Sequence, residues 1–547
     1  MKTLKYIISA FVLAVGLSAC VGDLNVSPID PSMNTADKAL QTEEDYFALL
    51  AQCYTGFAIS GSYGPNGDNN ISGIDGGFSQ YFRGRYHLNG LTTDEAVCGW
   101  NDQTLQDMHG LAWTTSDVFI AAFYYRIFYQ ISAFNEFIRQ VNKAKIDLPE
   151  KDKWIAEARA LRAYCWLDAI DNYGNVPFGD ENSTVGADIP KQISRKDLFT
   201  YIENECLDLI NGDDLYEAGQ GEYGRVNKGM VVMVLAKLYL NAEVYIGEKK
   251  YQECADILNK LGSAYSLHNN YQELFLADNH LRKNEIIWAV EQDGNNVQSY
   301  GVTNYLIFTS TGGDIDTKYI GISSGWGGIR TTPEFYKNFA DNDARKLFFT
   351  EKEQEEVLKR NYAAYVAEQQ KDGKDADPYE AWLGADKKWQ QADIDNISEF
   401  THGYGFMKFR NVKSDGKAAS AEGFVDVDFP VFRYADALLM KAECAKRGAV
   451  NVDGLAAFNA VRQRAGLSKV QDYTLENVLQ ERACELYLEG WRRSDLVRYG
   501  YFTSSSKLWQ WKGGVKAGKG VPSHMNLFPI PTNDINANSN LVQNPGY

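Results

Sequence analysis

Apolar residues recur at helical spacing in several long segments of the chain. Between Trp154 and Ala169, apolar side chains return every three or four residues, which places them on one stripe of an α-helix. Gly174 and Pro177 follow, and these residue types end a helix and prevent its continuation. We therefore predict an amphipathic helix that stops before Gly174.

A second pattern predicts helices arranged in pairs. Residues 230–245 are apolar on nearly every side, so this helix should be enclosed by others. Gly247 and a second helical segment, KKYQECADILNKL, come directly after it. A long helix, a small-residue turn and a second helix are typical of tetratricopeptide-like hairpins. The same order returns in DALLMKAECAKRG and DGLAAFNAVRQRAG, each of which ends in glycine.

Other segments complete a mainly α-helical scaffold. Residues 475–488 carry apolar side chains on one face, and Thr474 is placed to cap the first turn. Less distinct helical patterns cover residues 43–58, 116–142 and 196–210. The paired segments are degenerate and widely separated, unlike the repeats of a regular solenoid. We predict one scaffold of tetratricopeptide-like helical hairpins that carries long irregular loops.

Three regions interrupt the helical pattern. Residues 61–110 and 293–330 are rich in Gly, Asn and Asp and contain scattered aromatic residues. Residues 351–420 form a charged stretch that we predict to be an insertion with short helices. Long irregular segments inside a compact protein usually carry function. We therefore expect binding residues in these regions.

The amino-terminal residues predict export and lipid attachment. Lys2 and Lys5 precede an apolar run of about a dozen residues, shorter than the ~20 that span a bilayer. Residues 1–19 are therefore predicted to be a signal peptide. The sequence LSAC at its end is typical of bacterial lipoproteins, in which Cys20 would carry acyl chains such as palmitate. An ordinary signal peptide that happens to precede a cysteine is the alternative.

Charge and cysteine content narrow the kinds of partner. The formal net charge is −17, and removing Lys2 and Lys5 with the signal peptide makes it −19. A strongly acidic exported chain is a poor partner for nucleic acid, which requires basic patches.

Seven cysteines remain besides Cys20, none in a C-x-x-C pair, and we predict buried thiols. Five of them lie in predicted helices: Cys165, Cys206, Cys254, Cys444 and Cys484.

Aromatic residues make up 13% of the chain, and one tryptophan stands among small residues. Trp326 lies in ISSGWGGIR, so its indole is either tucked under its own loop or displayed as a flat surface for a ligand.

Residues 321–325 fit the G-x-S-x-G pattern of serine hydrolases, but Ser323 would need a preceding strand, a following helix and an acid–histidine pair. Only His402 and His524 follow it, and no H-E-x-x-H motif occurs. We predict that the chain is not an enzyme.

Four longer segments resemble the SusD/RagB family. They are EARALRAYCWLDAIDNYGNVPF, FPVFRYADALLMKAEC, ERACELYLEGWRRSDLVRYG and LFPIPTNDINANSNLVQNPGY, and they cover essentially the whole mature chain in the family's order. The resemblance implies an N-terminal part over residues 20–279 and a C-terminal RagB/SusD part over residues 280–547. It also implies a non-catalytic lipoprotein of the outer membrane, exposed at the cell surface. Such proteins bind glycans and work with a SusC-like TonB-dependent transporter.

Three loops resemble those of the family's starch-binding founder: TTDEAVCGWND, EQDGNNVQSYGVTNY and SSGWGGIR. The resemblance implies that aromatic residues in these loops stack on sugar rings, namely Trp100, Tyr300 or its rival Tyr305, and Trp326. It also implies that Arg83 hydrogen-bonds sugar hydroxyls, with pairing to a carboxylate as the alternative. The polar partner beside the first tryptophan is left open among Asn101, Asp102 and Gln103.

The resemblance therefore implies a receptor that captures starch and malto-oligosaccharides, both α-glucans, and delivers them to the transporter. An aromatic ring covers the apolar face of a pyranose, while polar side chains bond to its hydroxyl rim. Two alternatives remain. One is a SusD-like receptor for another polysaccharide, and the other is a structural lid of the transporter that touches no ligand.

No organic cofactor is predicted, and one structural calcium site is considered. Asp426 and Asp428 alternate along an extended segment and Asp278 lies in FLADNH, so these carboxylates could together supply oxygen ligands for Ca²⁺. The family resemblance implies such an ion in some members, but His280 stands where a relative would offer Asp. Solvated or helix-capping carboxylates are the alternative.

Overall fold

The computed structural model describes residues 36–65, 70–183, 186 and 189–547. The predicted signal peptide and Cys20, the predicted lipidation residue, lie outside the described residues. Among the residues described, no helix is both long and apolar enough to cross a membrane. The fold is mainly α-helical, which confirms the predicted fold class.

The α-helices carry the scaffold, and 3-10 turns and short strands connect them. In chain order the α-helices are Ala36–Ala39, Glu43–Thr55, Tyr81–Asn89, Gln103–Gly110, Val118–Asn142, Lys151–Asn172, Arg195–Asn211, Lys228–Leu240, Ala242–Ile246, Tyr251–Leu258, Val302–Ser310, Thr317–Ile320, Pro333–Tyr336, Glu351–Lys371, Tyr379–Leu383, Tyr434–Lys446, Gly454–Arg464, Leu475–Leu486, Arg492–Arg498 and Thr532–Ala537.

Neighbouring helices pack in pairs, as the hairpin pattern predicts. Val118–Asn142 packs along Lys151–Asn172, and Tyr434–Lys446 packs along Gly454–Arg464. Lys228–Leu240 is buried at every residue because neighbouring helices and a strand cover it. Its nearly continuous apolar sequence follows from this position.

Helix ends follow local signals in the sequence. Gly174, just beyond Lys151–Asn172, has φ 73°, a conformation that favours glycine. Thr474 forms a capping box with Asn477 at the start of Leu475–Leu486. The prediction for that helix runs two residues too far, because Tyr487 is already extended, with ψ 149°, and Leu488 adopts φ 62°.

One predicted helix is broken in two. Residues 230–245 were expected to be continuous, but the helix stops at Leu240 and resumes at Ala242. At the break, the side-chain amide of Asn241 donates to the Lys237 carbonyl at 2.9 Å. Asparagine offers the backbone this alternative partner, which weakens a helix at that position.

All three regions predicted to interrupt the helical pattern contain helices, and Val302–Ser310 and Thr317–Ile320 lie within residues 293–330. Tyr81–Asn89 lies within residues 61–110, and all nine of its residues are buried, so no amphipathic period marks it. Glu351–Lys371, at the start of the predicted insertion, is 21 residues long rather than short. Its polar sequence buries only two side chains, so it also lacks an apolar stripe.

Buried charges tie the C-terminal helices together. The Glu485 carboxylate accepts hydrogen bonds from Arg345, Arg433 and Arg464, and all four side chains are at most 3% exposed. Burial alone would raise the pKa of Glu485, but the three guanidinium groups hold it well below its usual range. Buried charges are tolerated when they are paired in this way.

Short antiparallel strands position the loops. A four-stranded sheet has the order Val97–Cys98, Ile329–Thr331, Tyr404–Phe406, Phe348–Phe349. Two further pairs join Val176–Pro177 to Gln192–Ile193 and Ile286–Val290 to Phe429–Arg433.

All seven cysteines of the described residues are free and buried, which confirms their predicted role as buried thiols. Burial raises the pKa of Cys53 to about 12, so this thiol stays protonated at neutral pH.

Candidate functional site

The four-stranded sheet brings two distant loops side by side. Val97 pairs with Arg330 and Cys98 with Ile329, and the same ladder continues where the Gly99 amide donates to the Gly328 carbonyl at 3.0 Å. The residues that follow and precede these strands are therefore neighbours. They carry the two tryptophans of the predicted site.

Trp100 and Trp326 are in direct contact. The Trp100 indole Nε1–H donates to the Trp326 carbonyl at 3.2 Å, and the two ring centroids lie 6.5 Å apart with an interplanar angle of 44°. Both side chains are partly exposed. Sequence positions 226 residues apart thus form one aromatic surface.

Tyr300 extends this surface in the other direction. Its ring lies 5.7 Å from the Trp326 ring at 77°, and 5.8 Å from the Phe424 ring in a stacked arrangement. Trp100, Trp326, Tyr300 and Phe424 are all half-buried. We call these four rings the aromatic cradle.

Backbone hydrogen bonds hold the Trp326 loop against a helix end. The amide of Trp326 donates to the Phe308 carbonyl at 2.7 Å, and the amides of Gly327 and Gly328 donate to Thr311 and Thr309 at 2.8 Å. The last carbonyls of a helix have no partner within it, and here Val302–Ser310 offers them to the loop. The loop is therefore fixed to the scaffold.

The glycines around Trp326 are required by these close approaches. A Cβ on Gly325 would lie 2.5 Å from the Thr311 carbonyl carbon, and one on Gly328 would lie 3.0 Å from the Trp100 ring. Gly327 has φ 58°, which favours glycine. The small residues of ISSGWGGIR allow its backbone to pack while the indole remains partly exposed.

Two aromatic residues of this site, one in the cradle and one at its edge, were not predicted from the sequence. Phe424 follows Gly423 at the end of the charged region, and no periodic pattern marks it. Phe400 is half-buried at the edge of the cradle, where a Cβ on Gly327 would lie 3.9 Å from its ring. An aromatic residue in an otherwise polar, glycine-containing stretch was the one available signal.

Tyr305 is not a stacking residue, so this alternative is wrong. Its side chain is 0% exposed, because it lies in the buried helix Val302–Ser310. Burial raises the pKa of its phenol. The ring lies beneath the cradle, 6.4 Å from Trp100 at 78°, and supports it from below.

Arg83 supports the Tyr300 loop. Its Nη1 donates to the carbonyls of Gly77 at 2.6 Å and Tyr300 at 3.1 Å, and its guanidinium lies 4.5 Å from the Tyr305 ring centroid. It is only 9% exposed, and burial lowers its pKa. Its partners are carbonyls rather than the carboxylate considered above, and contact with sugar hydroxyls stays a prediction.

The polar residues beside Trp100 are exposed along one side of the cradle. Asn101 lies within 3.5 Å of the Ser398 hydroxyl. Asp102 is the N-cap of Gln103–Gly110 with no side-chain capping bond, and the Gln103 amide donates to Asp107 at 2.8 Å. Asn101 and Asp102 are therefore the freer of the three candidates to meet a ligand.

Arg330 fixes a third loop at the cradle. Its guanidinium donates to the carbonyls of His402 at 2.8 Å, Ile397 at 2.7 Å and Glu399 at 3.0 Å. Burial lowers the pKa of Arg330 to about 10, and carbonyl oxygens surround the charge. The segment that contains Ser398 and Phe400 is thereby held next to Trp100.

The carboxylates considered as calcium ligands bind amides instead. Asp426 accepts from the Gly294 amide at 3.0 Å, Asp428 from Gln292 at 2.8 Å and Asp278 from Ser414 at 2.9 Å. Among the described residues no group of three His, Cys, Asp or Glu side chains could hold a metal ion. Burial raises the pKa of Asp428 to about 7. Asp426 and Asp428 thus anchor the segment that leads to Tyr300.

The G-x-S-x-G segment lacks the setting of a hydrolase nucleophile. Ser323 follows the helix Thr317–Ile320 and precedes the strand Ile329–Thr331, the reverse of the required strand–turn–helix order. Its hydroxyl lies 3.3 Å from the Glu422 carbonyl.

Comparisons with known proteins agree with this architecture. Residues 284–547 match the sequence profile of the SusD family. The whole chain is 34% identical to 99% of the starch-binding protein SusD of Bacteroides thetaiotaomicron, and 68% of it is 25% identical to 71% of the SusD-like protein P38 of Formosa agariphila. Surface glycan-binding protein A of Bacteroides thetaiotaomicron, solved with laminarihexaose, superposes with TM-score 0.69 and 20% identity over 92% of this chain and all of that one.

Proposed function

The chain belongs to the SusD family, and on that premise we propose that it captures starch and malto-oligosaccharides and delivers them to a SusC-like TonB-dependent transporter. In this proposal the chain is a lipoprotein of the outer membrane, anchored through Cys20 and exposed at the cell surface. It binds and releases its ligand without chemical change.

One observation carries the proposal: Trp100, Trp326 and Tyr300, from three loops, form a continuous, partly exposed surface with centroid spacings of 6.5 and 5.7 Å. The faces of a coiled α-glucan are curved, and rings inclined to one another at 44° and 77° suit a curved ligand better than a flat one. Asn101 and Asp102 offer polar groups beside it for hydroxyls.

The size of the surface predicts weak binding. Each ring that covers ~50 Å² of apolar sugar surface contributes roughly 1 kcal/mol. Three rings and a few hydrogen bonds, less the cost of ordering the ligand, leave roughly 4–8 kcal/mol, which corresponds to dissociation constants from mM to μM. Weak binding suits a protein that hands its ligand onward, and many anchored copies would hold one polymer by avidity.

The named relatives support binding rather than catalysis. The relative with 34% identity is a starch-binding protein, and the solved neighbour is a glycan-binding protein. That neighbour was solved with laminarihexaose, a different glucan. A SusD-like receptor for another polysaccharide is therefore the second candidate.

A binding screen tests the proposal. We would titrate the purified chain with amylopectin, maltoheptaose, cyclodextrins and laminarin by calorimetry and affinity electrophoresis. We expect binding to the α-glucans, weakened about fivefold or more in Trp326→Ala, since one platform is worth roughly 1 kcal/mol. The matched control is Tyr216→Ala, because Tyr216 is 37% exposed and packs on Lys153, outside the cradle.

Three results would contradict parts of the proposal. Binding to laminarin but to no α-glucan would show that the proposed ligand is wrong and would leave the proposed receptor role intact. Equal binding by Trp326→Ala and the parent protein would remove the cradle as the site. Unchanged uptake of α-glucan by cells that carry the triple Ala variant of Trp100, Tyr300 and Trp326 would favour a structural lid.

A further inference from the structure

Trp389 is the most exposed tryptophan of the chain and lies outside the cradle. All eleven tryptophans fall within the described residues, and Trp389, which is 38% exposed, is the most exposed of them. Eight of the others are buried or belong to the cradle, as Trp113 and Trp326 illustrate, and Trp382 and Trp511 are half-buried. The Trp389 indole therefore combines a packed part with an apolar surface that a ligand can reach.

The backbone on both sides of Trp389 is fixed by one buried side chain. The Gln354 amide donates to the Lys388 carbonyl at 2.9 Å, and its oxygen accepts from the Gln390 amide at 2.6 Å. Gln354 is 1% exposed, within the helix Glu351–Lys371. The indole is thus displayed from a clamped segment, so little side-chain or backbone freedom remains to be lost on binding.

Trp389 lines two open clefts. One, of about 480 Å³, is lined by Glu351, Lys352 and Glu355, and the other, of about 580 Å³, by residues 380–387 including Glu380. An apolar face with carboxylate and ammonium groups at its edges is the combination that a pyranose ring requires.

Trp389 is connected to the cradle through short contacts. Lys388, its neighbour, pairs with Glu399, next to Phe400 at the cradle edge. Lys387 and Gln354 both bond Asp314, at 2.6 and 2.7 Å. Asp314 is two residues from Gly312, where a Cβ would lie 2.7 Å from the Gly327 Cα. A chain of contacts through Lys387 and Asp314 therefore links the segment of Trp389 to the loop that carries Trp326.

The sheet gives the scale of the separation. Trp100 follows the first strand of the four-stranded sheet, and Glu351, beside Trp389, follows the last. Strands lie ~4.8 Å apart, so the outer two are separated by about 14 Å. Because all three neighbouring pairs are antiparallel, these two strands run in opposite directions, and Trp100 and Glu351 follow them at opposite ends of the sheet, so their separation exceeds this value. A ligand that reaches both places must be several sugar units long.

We propose that Trp389 is a second aromatic platform, which stacks on a pyranose of the same glycan chain that occupies the aromatic cradle and so makes long chains bind more tightly than short ones. This inference rests on the proposed function. A neutral polyhydroxylated ligand also fits the surroundings, because Glu351, Glu355 and Glu380 would repel an anionic polymer from this acidic chain.

A chain-length series tests the inference. We would titrate the parent protein, Trp389→Ala, Trp389→Phe and Trp326→Ala with maltotriose, maltoheptaose and longer linear maltodextrins. We expect Trp389→Ala to bind maltotriose within about twofold of the parent and the longest chains about fivefold more weakly, the loss of roughly one platform. Trp389→Phe keeps a platform and should retain most of the affinity. Trp326→Ala should weaken every length.

The outcomes separate this inference from the proposed function. Equal affinity of Trp389→Ala and the parent at every length would overturn the inference alone. Unchanged glycan affinity with weakened association to the transporter would assign the indole to a protein contact and would also overturn it. If the parent binds laminarin instead, the series is repeated with laminari-oligosaccharides and judged in the same way. A parent protein that binds no glycan would refute the proposed function, and the inference with it.

Discussion

Gly325→Ala should loosen the cradle without touching any of its rings. In the folded chain a Cβ at this position would lie 2.5 Å from the carbonyl carbon and 2.9 Å from the Cγ2 of Thr311. Thr311 cannot retreat easily, because it ends the buried helix Val302–Ser310 and its own side chain is 1% exposed. The loop must therefore move away from the helix.

The displacement costs hydrogen bonds that fix the indole. The nearest are those from the Gly327 amide to Thr311 at 2.8 Å and from the Trp326 amide to Phe308 at 2.7 Å. Each is worth about 1 kcal/mol, so we expect a loss of about 2 kcal/mol in the free energy of unfolding. Trp326 touches both Trp100 and Tyr300. A shifted Trp326 should therefore weaken maltoheptaose binding roughly five- to twentyfold, which is about 1–2 kcal/mol.

The assay compares two glycine substitutions of the same size. Gly423 adjoins Phe424, and a Cβ there would meet nothing within 4 Å, so Gly423→Ala should stay within about 0.5 kcal/mol of the parent. Denaturant unfolding gives the stability and calorimetry gives the affinity. If Gly325→Ala matches Gly423→Ala in both measurements, the helix-bound loop does not position the indole.

Three further predictions concern groups below or beside the cradle. Tyr305→Phe should leave the free energy of unfolding unchanged or slightly higher, because the buried phenol oxygen has no hydrogen-bond partner among the described residues. Tyr305→Ala removes the ring and should lower the free energy of unfolding by about 3–5 kcal/mol. Equal losses in the two variants, measured by denaturant unfolding, would contradict this prediction. Burial raises the pKa of Asp428 to about 7 from 3.8, so its protonated form favours folding and stability is lost as the pH rises from about 4 to about 7. The melting temperature of Asp428→Asn minus that of the parent should therefore be larger at pH 8 than at pH 4. A difference that does not change with pH would refute the reasoning. The seven buried thiols should react with a thiol reagent in denaturant and not in the native protein; native reaction of Cys53 would contradict its burial.

The elements that sequence patterns predict well are those decided locally. Apolar spacing and a following glycine predict Lys151–Asn172, and Thr474 at the first turn predicts the start of Leu475–Leu486. Tyr81–Asn89 has no such pattern, since the scaffold buries its arginines and histidine along with its apolar residues. Periodicity marks a helix only when one face meets water.

The candidate site depends on contacts that no local pattern encodes. The strands Val97–Cys98 and Ile329–Thr331 are two and three residues long and over 200 positions apart, so alternation of side chains cannot reveal their pairing. Family resemblance pointed to Trp100 and Trp326, but the choice between Tyr300 and Tyr305 required the helix that buries one of them. Phe424 enters through a loop contact alone.

The arrangement beneath the cradle explains how so small a surface could bind at all. A ligand held by roughly 4–8 kcal/mol leaves little to spend on ordering the protein. Here the ordering precedes binding: Phe308 lies 5.0 Å beneath Trp326, and Arg83 joins the Tyr300 carbonyl to the Tyr305 ring. Backbone hydrogen bonds and buried side chains together hold the rings in place. Glycan affinity should therefore be more sensitive to changes in these supports than their distance from the ligand would suggest.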